Sequence, residues 1–214
     1  MAGLYAPDGG VNRLPKKWIT LVGGVNKELK ELYGVAGGAN RKIFSSLSVG
    51  DNYTLGGYNW LVIDINAQGQ ATLFCKSNAI YETGVGGSWA SSQMRTKCAL
   101  LYNGFSASDK AKIITTSVIS STGNTSDNVW VLSATQIYGI GAVGNGYTAP
   151  SEGARLQWFM QHNTSNDIRT IITNSWTRSC YNGRNFIVDG TGALGSMSYS
   201  ADKWGIHPVI LINP

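Results

Sequence analysis

Charge is scarce in this chain: Asp, Glu, Lys and Arg make up only 14% of its 214 residues. A groove that tracks phosphates needs clustered Lys and Arg, and the net charge of +5 is not placed to supply one. Residues 1–42 hold seven basic and three acidic residues, which leaves ten against nine for all the rest. The main body is nearly neutral, so nucleic acid is not an expected partner. Histidine is scarcer still. With only His162 and His207, a multi-histidine metal site is excluded and any nucleophilic triad would need one of these two. His207, between Ile206 and Pro208 in a terminal strand, reads as structural. His162, in Gln161-His162-Asn163, reads as a helix-end residue satisfying terminal carbonyls. Cys75, Cys98 and Cys180 lie far apart, so neither metal-ligand nor redox spacing is present and no disulfide framework is expected. No apolar run reaches membrane-spanning length, so no membrane insertion is expected, and Met1–Gly10 lacks the basic-then-apolar order of a signal peptide. Synthesis in the cytoplasm without a signal peptide is the expectation. There is no phosphate-cradling Walker motif, and no cofactor is called for.

What is abundant is glycine, at 27 residues, and tryptophan, at seven, together with Asn, Ser and Thr. That profile favours β-structure with many turns. The N-terminal region carries a repeat of period fourteen: Gly9-Gly10-Val11-Asn12-Arg13, Gly23-Gly24-Val25-Asn26-Lys27 and Gly37-Gly38-Ala39-Asn40-Arg41. Lys16-Lys17-Trp18-Ile19 aligns with Lys30-Glu31-Leu32-Tyr33 between the glycine pairs. Each copy reads as a Gly turn and a short amphipathic segment, too small to bury its own apolar residues. Residues 1–47 are therefore expected to be a docking or oligomerisation segment, the alternative being a solvated basic linker. Residues 48–214 form the main domain.

In that domain Tyr58–Ile65 and Gln70–Lys76 read as a hairpin around Asn66-Ala67-Gln68-Gly69. A helix follows, capped by Ser91 or Ser92, with Met94, Cys98, Leu101 and Tyr102 on one face. A second short helix follows Ser108 and leads to a strand over Ile113–Ile119. Asn128–Leu132 reads as a strand, with Ser133 capping another helical turn. Ile171–Arg178, Asn185–Asp189, Ala193–Ser198 and Gly205–Ile212 are further strands. Helices in the middle with strands at both ends imply an α+β domain in which the last strand pairs beside the first. Trp60, Trp89, Trp130 and Trp176 are expected in the core, and Arg178 is expected at a buried edge, bonded to loop carbonyls.

Asp64, Asp127, Asp167, Asp189 and Asp202 could meet in space, but nothing singles out a catalytic pair. Asp64-Ile65-Asn66-Ala67-Gln68-Gly69 faintly resembles the start of a calcium loop without its later glutamate, and a hairpin turn fits better. Gly139, Gly141, Gly144 and Gly146 lack a strand-turn-helix setting and read as a flexible loop. After residue 160 the acids are Asp167, Asp189 and Asp202 alone, so no metal requirement is expected.

Ser175-Trp176-Thr177-Arg178-Ser179, then Val188-Asp189-Gly190-Thr191-Gly192, then Gly205-Ile206-His207-Pro208-Val209-Ile210-Leu211 resembles the ending of C-type-lectin-like domains in phage tail and bacterial surface proteins. Trp60–Asp64, Ser88-Trp89 with Ser92–Arg95, and Asn128–Ser133 match the same family's order, so the resemblance covers roughly residues 55–213. Cys180 stands where a proline often follows the Trp-x-Arg-Ser motif. Some members are similar to the variable proteins of diversity-generating retroelements, whose mutable codons cluster in one surface patch. From Cys180 to Asp202 only Met197 falls outside the residues that adenine-directed mutation of such codons can yield. The resemblance implies an antiparallel sheet with two or more short helices, and a non-enzymatic receptor-binding protein of a phage or prophage tail. A virion location follows, with a bacterial surface protein or glycan as ligand. Other tail proteins would meet the N-terminal repeats, and a homotrimer is the expected assembly. The alternatives are an enzyme on the related formylglycine-generating scaffold and a purely structural tail protein.

Within Ser179–Trp204, four Ser, four Gly, two Tyr and two Asn make a mixture typical of paratopes. The expected ligand-binding face comprises Cys180, Tyr181, Asn182, Arg184, Asn185, Phe186, Met197, Ser198, Tyr199, Ser200, Asp202 and Trp204. Phe186 and Trp204 have a core position as their alternative.

Overall fold

The N-terminal repeats are β-hairpins in the computed structural model, which describes residues 19–22, 25–28, 31–36, 39–45, 47–77, 80–83, 88–182, 184–198 and 203–214. Strand β1 (Ile19–Val22) pairs antiparallel with β2 (Val25–Glu28), and β3 (Glu31–Ala36) with β4 (Ala39–Ser45). The pairs Val22↔Val25 and Ala36↔Ala39 close the two hairpins and are offset from one another by the period of the repeat. The glycine pairs and residues 1–18, with the Gly9–Arg13 motif of the first copy, lie outside the described residues. Each hairpin is a separate two-stranded sheet, a form only marginally stable alone in water. The chain divides into two units, Met1–Ser46 and Leu47–Pro214.

The second unit is α+β, with two main sheets. The first starts with β5 (Asn52–Leu55) and β6 (Tyr58–Ile65), then β7 (Ala71–Cys75). β5 was not expected from sequence. Its turn, Gly56-Gly57, has φ of 61° and 81°, values that favour a tight hairpin matching strand twist. Between β6 and β7 the Asn66 Oδ1 accepts the Gln68 and Gln70 N–H groups, both at 3.0 Å. This stretch is therefore a hairpin turn. The connection from β7 carries β8 (Ile80–Thr83), then α1 (Gln93–Gly104), capped by Ser92 Oγ accepting from Arg95 N–H at 3.1 Å. Met94 and Cys98 are buried, and Leu101 and Tyr102 pack on the same core. The next helix, α2 (Ala107–Lys110), begins before Ser108 because Ser106 caps it, accepting from Asp109 N–H at 3.1 Å.

The single strand expected over Ile113–Ile119 is two, β9 (Ile113–Ile114) and β10 (Thr116–Val118); β10 pairs with β11 (Thr125–Asp127). After β12 (Trp130–Val131) comes α3 (Ala134–Tyr138), with Ser133 and Gln136 forming a capping box. The glycine-rich segment is not a flexible loop. β13 (Val143–Gly144) and β14 (Tyr147–Thr148) form a hairpin closed by Asn145-Gly146, whose φ values of 50° and 81° are those of a tight primed turn. Helices α4 (Gln157–Gln161) and α5 (Ser165–Arg169) follow. His162 ends α4: its Nδ1 meets Trp158 O at 3.0 Å and its ring stacks on Trp158.

The C-terminal strands are β15 (Ser175–Tyr181), β16 (Arg184–Val188), β17 (Leu194–Ser198), β18 (Lys203–Ile206) and β19 (Pro208–Ile212). β15 starts later than Ile171 because Asn174, at φ 47°, breaks the extended run. The first sheet has the order β12-β19-β7-β6-β5, with β9 also on β19; the second has the order β17-β16-β15-β18-β8. The last strand therefore pairs with the second strand of the hairpin and not with the first. The run 205–212 is divided between the sheets at His207-Pro208. Pro208 has no N–H to donate and suits only a strand start, so the chain changes sheet there. Trp60, Trp89, Trp130 and Trp176 are all buried. Among the described residues no helix is long and apolar enough to cross a membrane.

Candidate ligand-binding face

β15 is buried along Ser175–Ser179 and emerges only at Cys180 and Tyr181, while β16 is buried from Asn185 to Val188. The hairpin thus has a rooted shaft and an exposed tip. Its register runs Trp176↔Ile187 and then Cys180↔Asn185, so a bulge places extra residues on β15. A bulge re-aims a side chain. Here Thr177 Oγ donates to Phe186 O at 2.9 Å, while Arg178 N–H turns away to Leu132 O at 3.0 Å.

Arg178 is 2% exposed and holds the layers under the tip together. Its Nε donates to Ile119 O (3.1 Å), one terminal nitrogen to Val131 O (2.7 Å) and Gln136 Oε1 (2.6 Å), and the other to Glu152 O (2.7 Å). Burial pulls its pKa down to about 10, with Glu152 and Asp127 opposing, so it stays charged at neutral pH. The carboxylate of Glu152, fully buried, accepts from Ser121 N–H at 2.8 Å and from Ser179 Oγ at 2.6 Å. Ser179 Oγ in turn accepts from Ala134 N–H at 2.9 Å. The arginine was legible in sequence. Glu152 was not, because no local pattern marks a carboxylate that meets its partners across 27 residues.

At the tip, Tyr181 is 50% exposed and Asn182, exposed, takes φ 50°. Asn182-Gly183 between two strands is a strong hairpin signal, overlooked in the sequence. Cys180 is half-buried, its carbonyl accepting from Ser121 Oγ at 3.3 Å. The guanidinium of Arg184 lies 4.3 Å over the ring of Tyr147, which β14 brings from outside the expected face. That hairpin is seated on β17: Asn145 Nδ2 donates to Ser196 O (2.8 Å) and Ser196 Oγ to Gly144 O (2.9 Å). A Cβ on Gly144 would lie 2.8 Å from the Gly195 backbone, so the contact needs glycine.

Two expected face residues are corrected. Phe186 is fully buried against Ala134 and Ala149, and Asn185 is 3% exposed. β16 lies between β15 and β17 with a layer on each face, so neither side chain of its alternation reaches solvent. Trp204 is half-buried with its ring 6.1 Å from Trp176, which makes it an edge of the core. Met197 and Ser198 pair in β17 with Asn185 and Arg184. Tyr199, Ser200 and Asp202 lie outside the described residues.

Two of the expected acids, Asp64 and Asp189, have separate structural surroundings, and Asp202 lies outside the described residues. Asp64 lies beside α4, where burial raises its pKa against a bond from Gln157 N–H. Asp189 closes its own loop, accepting from Thr191 and Ala193 N–H at 2.8 and 3.0 Å. Burial pushes its pKa up, but these bonds together hold it below the usual value. Among the described residues no three His, Cys, Asp or Glu are grouped to hold a metal ion.

His207 sits where the sheets diverge, stacked on Phe74 with Nδ1 2.8 Å from Cys75 O. The carbonyl can only accept, so Nδ1 carries the proton and the buried Nε2 is left as an unpaired acceptor. Burial lowers the ring's pKa to about 4, against the bond to Cys75, which favours the charged form. A histidine depressed in the folded state contributes nothing above its unfolded pKa and costs stability as pH falls towards the folded value. Between pH 6.5 and 4 the loss is expected to reach roughly 3 kcal/mol. Urea unfolding across this window should show His207→Gln losing less than the parent; equal losses would remove His207 as the cause.

The fold and face define an α+β domain that raises a polar hairpin tip from a buried, cross-braced base. Residues 59–214 match the family described as Domain of unknown function (DUF6273), and the chain belongs to it. No curated protein and no solved structure matches.

Proposed function

We propose that the chain is a non-enzymatic binding protein on a C-type-lectin-like scaffold, carried on a phage or prophage tail, that recognises a bacterial surface protein or glycan. The observation behind this reading is the division of the β15–β16 hairpin. Its shaft is locked by Arg178 and Glu152, while Tyr181, Asn182 and the Arg184–Tyr147 stack stand at the surface. Rigid aromatic and arginine groups at the surface are the chemistry of binding anchors. An enzyme on the formylglycine-generating scaffold would need a reactive cysteine pair. Cys75 and Cys98 are buried and burial pushes both thiols up, which makes them poor nucleophiles.

The test is binding measured beside stability. Tyr181→Ala, Arg184→Ala and Tyr199→Ala together should abolish attachment to host cells, each anchor costing on the order of 1–2 kcal/mol. Tyr181 is exposed and Arg184 half-buried, so melting should change far less than on loss of a core residue. Normal attachment by the triple variant would place the ligand elsewhere.

The repeats complete the proposal as the element that joins copies of the chain, a trimer, or other tail proteins. Two-stranded sheets with open edges need such partners. Light scattering should give an oligomer for the full chain and a monomer for a chain beginning at Leu47. Monomers in both cases exclude assembly through the repeats.

A further inference from the structure

The geometry points to a second binding site, for a neutral polyhydroxylated ligand of monosaccharide size, in the cleft between α1 and the β11–β12 segment. The cleft has a volume of about 340 Å³, within the range of small-ligand pockets and too small for a peptide. Arg95, Tyr102 and Asn103 line it from α1, and Ser126, Asp127 and Asn128 from the opposite wall. On a helix, residues 95, 102 and 103 fall on one face.

Its floor is fixed before any ligand arrives. Asp127 Oδ1 accepts from Arg95 Nε at 2.8 Å, and Oδ2 from Trp89 Nε1 at 3.0 Å and Thr125 Oγ1 at 2.5 Å. The arginine also donates to Ala90 O at 3.1 Å, yet its side chain remains 35% exposed. Arg95 and Asp127, the two charged residues of the lining, cancel in charge, so the lining itself carries no net charge to select an anion or a cation. What remains is a set of mixed donors and acceptors. Asn128 Nδ2 donates to Thr115 Oγ1 at 2.9 Å, which leaves its Oδ1 as an acceptor. Asn103 and Ser126 are exposed and offer both roles. Tyr102 adds an aromatic surface held edge-to-face against Phe105, with Lys110 Nζ 5.4 Å from the ring centre. Hydroxyls that each donate and accept, arranged around an apolar C–H ring, satisfy such a lining; a hydrocarbon would strand its polar groups, and a free phosphate would meet the carboxylate of Asp127.

The indole N–H of Trp89 reports on this floor and not on the hairpin tip. Glucose, galactose, rhamnose and N-acetylglucosamine, titrated at millimolar concentration into the full chain, should include at least one that shifts this resonance. Ala99→Phe fills the cleft from an exposed helix position without removing any hydrogen bond described above, and should weaken that sugar by roughly tenfold or more. Asn128→Ala should weaken it too, while Tyr181→Ala with Arg184→Ala should leave it unchanged. The tip and the cleft can therefore fail independently. No shift with any of the four sugars, a shift equally produced by inorganic phosphate, or sugar binding that survives Ala99→Phe overturns the site.

Discussion

Replacing Arg178 with alanine is expected to destabilise the second unit by about 3–5 kcal/mol, because it removes a buried cation that makes four hydrogen bonds, each of the stronger, charge-assisted kind. Four acceptors lose the guanidinium at once: the carbonyls of Ile119 and Val131, and the Glu152 carbonyl and Gln136 amide oxygen, which keep only their bonds from Ser133 Oγ and Ser133 N–H. A buried acceptor left unsatisfied, as the Val131 carbonyl is placed to be, carries a desolvation cost of about 1–3 kcal/mol, and the four losses are not fully additive. The buried Glu152 side chain also loses the favourable field of a nearby positive charge. Arg178→Lys should recover little, because one ammonium cannot reproduce a planar fork that reaches acceptors on several segments. Thermal melting should fall by on the order of 10 °C for a unit of this size. An Arg178→Ala protein that melts within a degree or two of the parent would show that the bracing is dispensable.

Trp176→Ala should cost about as much, roughly 3–5 kcal/mol, for a different reason. Trp176 is 2% exposed in β15, opposite Ile187 and beside Trp204. Removing the indole opens a cavity that close-packed neighbours on both strands cannot collapse to fill. The Arg178 and Trp176 variants should differ in salt response. Added salt screens charge but strengthens apolar burial, so sulfate should rescue Trp176→Ala more than Arg178→Ala in urea titrations. If neither variant loses stability, the shaft of the hairpin is not the rigid base that the tip requires.

Local patterns gave the sequence reading most of its strands. Tyr58–Ile65 is dense in β-formers, and Ser92 with the spacing of Met94, Cys98, Leu101 and Tyr102 defines α1 from neighbours only a turn away. The single strand expected over 205–212 failed at His207-Pro208, because whether a strand stays in one sheet depends on the neighbours it meets. Phe186 and Asn185 were misplaced for the same reason: alternation marks two faces, but both faces of β16 are covered. In the site, Arg178 could be read from its motif. Tyr147 and Glu152 could not, since the distant turn that brings Tyr147 under Arg184 and the packing that buries Glu152 leave no mark on the residues beside them. The glycines around 144–146 carried the signal, an Asn-Gly pair between short extended segments, but only the fold shows what it supports.

The position of β19 governs when the domain can fold. This strand lies inside the first sheet, bonded to β12 on one side and β7 on the other, and it is supplied by residues 208–212. Until residue 212 has left the ribosome, β7 and β12 have open backbone edges and the core has no floor. Pairing across more than a hundred residues is slow to find, and open strand edges attract other chains. Folding of this unit must therefore wait for the synthesis of its C-terminal strand, and loss of even that short stretch would leave two sticky edges where the protein should have its centre.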